Sequence, residues 1–153
     1  MAEPVPWAVL QAIQAQLAPI LTAGGYNTNI GAKFFLSDSQ REGTERPSIA
    51  IGGKTGTLDL TTEVAANGKP KSPRARRVDL IIEAAVDVVD ETAEHVGHLM
   101  LEDIECAWAI KTCGAPVGVT SISLSSFSIL DRPEGLPAVV LQILGSAEYI
   151  RST

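Results

Sequence analysis

Val78-Asp79-Leu80-Ile81-Ile82-Glu83-Ala84-Ala85-Val86-Asp87-Val88-Val89 is the stretch whose reading organises the rest of the chain. Successive side chains of a strand point to opposite faces, so Val78, Leu80, Ile82, Ala84, Val86 and Val88 share one side of a sheet. That side is a core face. Asp79, Glu83 and Asp87 share the other side with Ile81, Ala85 and Val89, a mixture that suits a surface partly covered by something else, such as another subunit.

Downstream, Asp90 is placed to cap a helix, with Glu91 and Glu94 in the first turn where the helix dipole favours anions. Val96, Leu99, Met100, Asp103, Ile104, Ala107, Trp108 and Lys111 trace one stripe of this helix, and Gly114 with Pro116 ends it. The stripe is apolar except for Asp103 and Lys111, so the helix is expected to pack on the sheet. An acid inside an apolar stripe calls for a partner, either a backbone amide or an arginine. Val117 to Leu130 and Ala138 to Ile150 then alternate as two strands, joined by the breaker-rich turn Asp131-Arg132-Pro133-Glu134-Gly135.

Upstream lies Lys69-Pro-Lys-Ser-Pro-Arg-Ala-Arg-Arg77, five cations in nine positions of a chain with formal net charge -6. Without those five the remainder carries -11, so an acidic body bears one basic, proline-stiffened segment. Asn67-Gly68 is a turn signal, which makes Ile49 to Val64 and Arg76 to Val89 a long hairpin with the basic segment at its tip. Pro47 to Ile51 is a short apolar strand ended by Gly52-Gly53, and Lys54 to Val64 alternates loosely enough to extend it. The polar run Ser37 to Arg46 reads as a loop. Tyr26 to Leu36 reads as extended, with Ile30, Phe34 and Phe35 buried and Gly31 weakening the alternation. Near the N-terminus Val9, Leu10, Ile13, Leu17, Ile20 and Leu21 recur at helical spacing, with a kink expected at Pro19 and a stop at Gly24-Gly25.

The order of elements predicts an α/β (α+β) fold: a mixed or antiparallel sheet of about four to five strands packed against two helices, with a protruding charged hairpin. With 153 residues, 45% of them apolar, the chain has material for one core, and residues 1–153 are expected to form a single domain. No apolar run is long enough to span a bilayer, and the N-terminus lacks the features of a signal peptide, so folding in the cytoplasm is expected. Cys106 and Cys113 lie beyond disulfide reach if both are helical, and both are read as reduced thiols, Cys106 as half-buried packing. The acidic balance argues against general duplex binding.

Motifs for chemistry are weak. Gly52-Gly53-Lys54-Thr55 looks like the end of a phosphate loop, but the loop needs a glycine where Ser48 stands and a helix where Thr57 to Thr62 reads as extended. A plain strand-to-strand turn is the simpler reading. His95 and His98 lie one turn apart near Glu94, Glu102 and Glu105, a pattern that a solvated helix face produces as readily as a metal site. No serine or cysteine stands in a nucleophile motif. No catalytic residue, cofactor or metal ligand is therefore assigned, and the chain is not expected to be an enzyme. The basic segment has three readings: a solvated hairpin tip, an interface element meeting an acidic surface, or a contact with nucleic-acid phosphates. The absence of interleaved aromatics argues against base stacking.

The helix ending Gly24-Gly25-Tyr26, the strand after it, the proline-led strand from Pro47, the charged hairpin, the acid-rimmed strand, the helix Leu99-Met100-Leu101-Glu102-Asp103-Ile104 and the closing strand pair together resemble the tail terminator proteins of long-tailed bacteriophages, the minor tail protein U type. The resemblance spans nearly the whole chain and rests on element order and length. It implies a subunit of a hexameric ring that binds the end of the tail tube, stops its growth and offers the head-tail connector or neck protein a docking surface. The implied partners are the chain itself, the tail tube protein, the connector, and DNA passing non-specifically through the lumen, with no membrane. The implied location is the virion, at the neck of the tail. A ring contact of the head-to-tail kind needs two different complementary patches. The basic segment supplies one, and Lys69, Lys71, Arg74, Arg76 and Arg77 are the expected partner-binding residues. The alternatives are another neck or head-tail connector protein, a small cytoplasmic ligand-binding protein or enzyme, and an interaction module unrelated to virions.

Overall fold

The computed structural model describes residues 4–36, 46–58, 74–88, 92–110, 116, 118–130 and 138–151. Helix α1 (Val5–Leu17) comes first, followed by strands β1 (Phe34–Phe35), β2 (Ser48–Thr57) and β3 (Arg74–Asp87), helix α2 (Ala93–Ile110), and strands β4 (Val119–Leu130) and β5 (Ala138–Arg151). The strands form one mixed sheet in the order β1-β2-β3-β5-β4. Only β1 and β2 are parallel, and the other three pairings are antiparallel. The α+β class, with five strands and two α-helices, is the one expected.

β3 sits at the centre because it is the strand with the most to bury. Val78, Leu80, Ile82 and Ala84 are buried on one face with Ile49 and Ile51 of β2 and Val139, Leu141 and Ile143 of β5. Both helices cover that face. Val9, Leu10, Ile13 and Leu17 of α1 and Val96, Met100, Ile104 and Ala107 of α2 join the same core cluster. Each fully buried aliphatic side chain contributes about 1.5–3 kcal/mol, so the cluster supplies most of the driving force. Gln16 is the polar exception on α1: its Nε2 donates to the Ala107 carbonyl at 2.7 Å and ties the two helices together. Gln16→Ala should cost about 1–2 kcal/mol in urea unfolding, because a buried carbonyl loses a donor.

Several expectations fail locally. Helix α1 stops at Leu17, ahead of Pro19, so Pro19 ends the helix where a kink was expected and Gly24-Gly25 plays no part in its C-terminus. Proline has no amide hydrogen to continue the ladder and its ring crowds the carbonyl four residues earlier, so the helical backbone runs through Ala18 and stops there. The segment from Tyr26 to Leu36 is not one strand. Short 3-10 turns occupy Thr22–Gly24 and Ile30–Ala32, and extended pairing is confined to Phe34 and Phe35. Ile30 is buried as expected, while Phe34 and Phe35 are half-buried.

Two contacts explain why this segment curls. Asp103, 2% exposed on α2, accepts from the backbone amides of Asn27 and Thr28 at 2.8 Å each, and from the Thr28 hydroxyl at 2.6 Å. The partner required by an acid in an apolar stripe is thus a pair of loop amides and a hydroxyl. Gly31 lies against the end of α1, where its amide donates to the Ile20 carbonyl at 3.0 Å.

The expected N-cap at Asp90, the helix end at Lys111 and Gly114, and the turns at Asn67-Gly68 and Asp131 to Gly135 lie outside the described residues. β2 and β3 do pair antiparallel, as the two arms of the expected hairpin should. Its tip lies outside the described residues.

Candidate interaction surface

The basic segment divides between two settings. Lys69 and Lys71 lie outside the described residues, whereas Arg74, Arg76 and Arg77 belong to β3 itself. Arg76 and Arg77 open the strand as the expected hairpin arm from Arg76 to Val89 required, the strand begins two residues earlier at Arg74, and all three are held in register by β5. Arg74 stands opposite Arg151, Arg76 opposite Tyr149 and Arg77 opposite Glu148. Alternation then separates neighbours: Arg76 lies on the helix side of the sheet, half-buried beside the buried Tyr149, and Arg77 on the far side. Arg77 is 46% exposed and its Nε stands 3.2 Å from Asp79 Oδ1 on the same strand. A pair this open to solvent contributes at most about 1 kcal/mol, so Asp79 leaves Arg77 available to an outside carboxylate.

The opposite sign is concentrated on α2. Glu94, Glu102 and Glu105 are all exposed there. His95 and His98 share this solvated face, and His98 Nε2 lies 3.7 Å from Glu94 Oε1 one turn away. Among the described residues no cluster of three or more His, Cys, Asp or Glu side chains is arranged to hold a metal ion. Cys106 is an exposed free thiol, not the half-buried packing residue expected.

Gly52-Gly53-Lys54-Thr55 is neither a phosphate loop nor a turn. It lies within β2, where the pairing with β3 shifts register between Gly52 and Thr55. Gly56 is needed by the close approach of the two chains, since a Cβ there would stand 2.2 Å from the Arg77 carbonyl oxygen. A strand running on to Thr57 offers no helix N-terminus to a phosphate.

The far face of β3 also carries the acid-aliphatic mixture seen in the sequence. Glu83 is buried and accepts from Gln142 Nε2 at 3.2 Å, and Ala85 is buried, while Ile81 is half-buried. At the end of β3, Arg46 Nε meets Asp87 Oδ1 at 2.6 Å and joins the start of β2 to it. On β5, Leu144 and Ile150 stand exposed on the same far face.

A further surface was missed in the sequence. Helix α2 lies over β5 and leaves the edge strand β4 partly uncovered, so a groove of about 370 Å³ opens between them. Leu101, Ile104 and Trp108 form its helix wall, and Leu124, Phe127 and Ile143 form its floor. Phe127 is 49% exposed. The helix is drawn close farther along, where Gly97 abuts Ile129; a Cβ on Gly97 would meet that side chain at 2.8 Å. The signal in the sequence was the half-apolar, wholly uncharged run Val119 to Leu130.

No family model matches the chain, and no curated protein matches it. No helix among the described residues is long and apolar enough to cross a membrane.

Proposed function

We propose that the protein is a structural subunit of a bacteriophage virion, a tail terminator that caps the tail tube as a ring, halts tube polymerisation and presents the surface on which head and tail join. The observation that carries the reading is the segregation of charge on one small sheet-and-helix body. Arg74, Arg76 and Arg77 cluster at one end of β3, and the exposed carboxylates Glu94, Glu102 and Glu105 line α2. Complementary patches on one molecule favour oriented docking and fast association of copies or companions. The likeness in element order to tail terminators supports the same reading, in which the chain acts by contact and not by turnover. Its partners are then further copies of itself, the tail tube protein and the connector, with Lys69 and Lys71 extending the basic patch.

The reading is tested by removing the gene from the phage that carries it. Tubes of uncontrolled length and tailless heads are expected, and the wild-type chain supplied in trans should restore joining. Purified virions free of the protein would end the proposal. Arg74→Glu, Arg76→Glu and Arg77→Glu together should abolish tail joining while the far-ultraviolet circular dichroism is unchanged. The milder Arg77→Gln, which removes charge without setting an acid opposite Glu148, should lower joining most at low salt, with the deficit against wild type shrinking as added salt screens the wild-type contact. Normal attachment of tails by the triple variant would remove these arginines from the interface.

A further inference from the structure

Among the described residues the sheet ends in two unlike edges. One is β4, twelve residues from Val119 to Leu130 without an Asp, Glu, Lys, Arg or Pro among them. Folded proteins guard exposed edges with charge, proline or bulges. β4 has only the register shifts at Val119/Ser121 and Leu124/Ser126. The other edge is β2, which the two-residue β1 covers only at Ile49 and Ala50. Its outer half, Lys54 to Thr57, is exposed, as is Leu58 just past its end, and Leu58 at 67% is the most exposed of the large apolar side chains described.

We infer that the outer half of β2 in one copy adds as an antiparallel strand to β4 of a second copy, with Leu58 seated in the groove between α2 and β4. Direction fits. β2, β3, β5 and β4 are successively antiparallel, so β2 and β4 run oppositely within one sheet, and a neighbour laid alongside in the same orientation presents an antiparallel strand. Facing fits as well. Gly56 pairs with Val78 of the core face and Thr57 with Arg77 of the far face, so Leu58 falls on the helix side, where the groove opens.

Charge is the third agreement. β2 brings the exposed Lys54 toward a partner whose groove is rimmed by Glu105 with Glu102 one turn away on α2. Backbone pairing supplies affinity, and one side chain in a pocket supplies register. The contact uses two different patches of one subunit, so it propagates into a closed ring or an open filament. It rests on the reading of the protein as a self-assembling subunit and names the surfaces that meet.

The test uses the full chain with Cys106→Ser and Cys113→Ser, adding Leu58→Cys to one preparation and Phe127→Cys to another. Mixed and treated with a short bismaleimide, the two should give crosslinked pairs joining position 58 to position 127, and each alone should give few dimers. Dimers of Phe127→Cys with itself would mean a two-fold β4 contact and overturn the inference, as would the absence of any crosslink. Ser126→Lys and Leu58→Asp, both at exposed positions, should each weaken self-association at least tenfold in sedimentation with the melting temperature unchanged. Oligomers that survive both substitutions would also overturn it. The two proposals fail separately: virions lacking the protein end the terminator reading and leave the crosslink standing, whereas an uncrosslinked monomer that tail joining still requires does the reverse.

Discussion

Asp103→Ala should destabilise the protein by about 2–4 kcal/mol and lower its melting temperature by roughly 5–15 °C. The carboxylate is buried and holds three donors from a loop more than seventy positions earlier in the chain, so its removal leaves the Asn27 and Thr28 amides and the Thr28 hydroxyl without their acceptor. A donor stripped of its partner costs more than the hydrogen bond contributed where water cannot replace the acceptor, and these three part-buried donors converge on one buried carboxylate. Asp103→Asn should recover less than half of the loss, because one oxygen is replaced by an amino group that faces a donor. Thr28→Val is the lighter control, removing one of the three bonds. Thermal and urea unfolding of the three variants would check the order. A change below 1 kcal/mol for the alanine variant would show that the loop is held by other contacts.

Gly31→Ala should cost about 2–3 kcal/mol, although alanine is ordinarily the mildest replacement for glycine. A Cβ at this position would stand 2.7 Å from the carbonyl oxygens of Leu17 and Ala18 and 2.9 Å from that of Ile20. All three are backbone atoms at the end of α1, so no side chain can swing aside. Relief requires moving either the 3-10 turn or the helix terminus, and both are anchored by buried Ile30, Leu17 and Ile20. Gly25→Ala makes the contrasting control. It has no neighbour within reach of a Cβ, and its cost arises only from the left-handed backbone at φ 92. An equal loss at both positions would mean that backbone conformation, and not close approach, sets the penalty at Gly31.

The strands β3 and β5 and the helix α2 were readable because each buries one continuous face, and burial of a face imposes a period on the residues that form it, while β4, only half-covered on one side, was readable from its alternation. Asp103 was visible as an anomaly in such a period, but its partners at Asn27 and Thr28 were not, since they are joined to it only by the packing of α2 against the loop. The same loop misled the reading of Tyr26 to Leu36. Local alternation there favoured extension, while Gly31 and the Asp103 clamp, both long-range, favoured turns. The basic cluster was equally plain as composition, yet its division between the two faces of β3 follows from strand geometry once Arg74–Asp87 is seen to be one element. Cys106 shows the limit in one residue, because the helix stripe bounds its exposure but the neighbours of α2 settle it.

By itself the chain determined its class, the residues that fill the core and the separation of its charges, because these depend on periodicity and composition that survive in any arrangement of the elements. Tertiary structure alone decided that β5 lies between β3 and β4, that an uncharged strand becomes an edge, and that a groove opens beside it. Strand order and helix placement are set by contacts between residues far apart in sequence, and no local pattern carries that information.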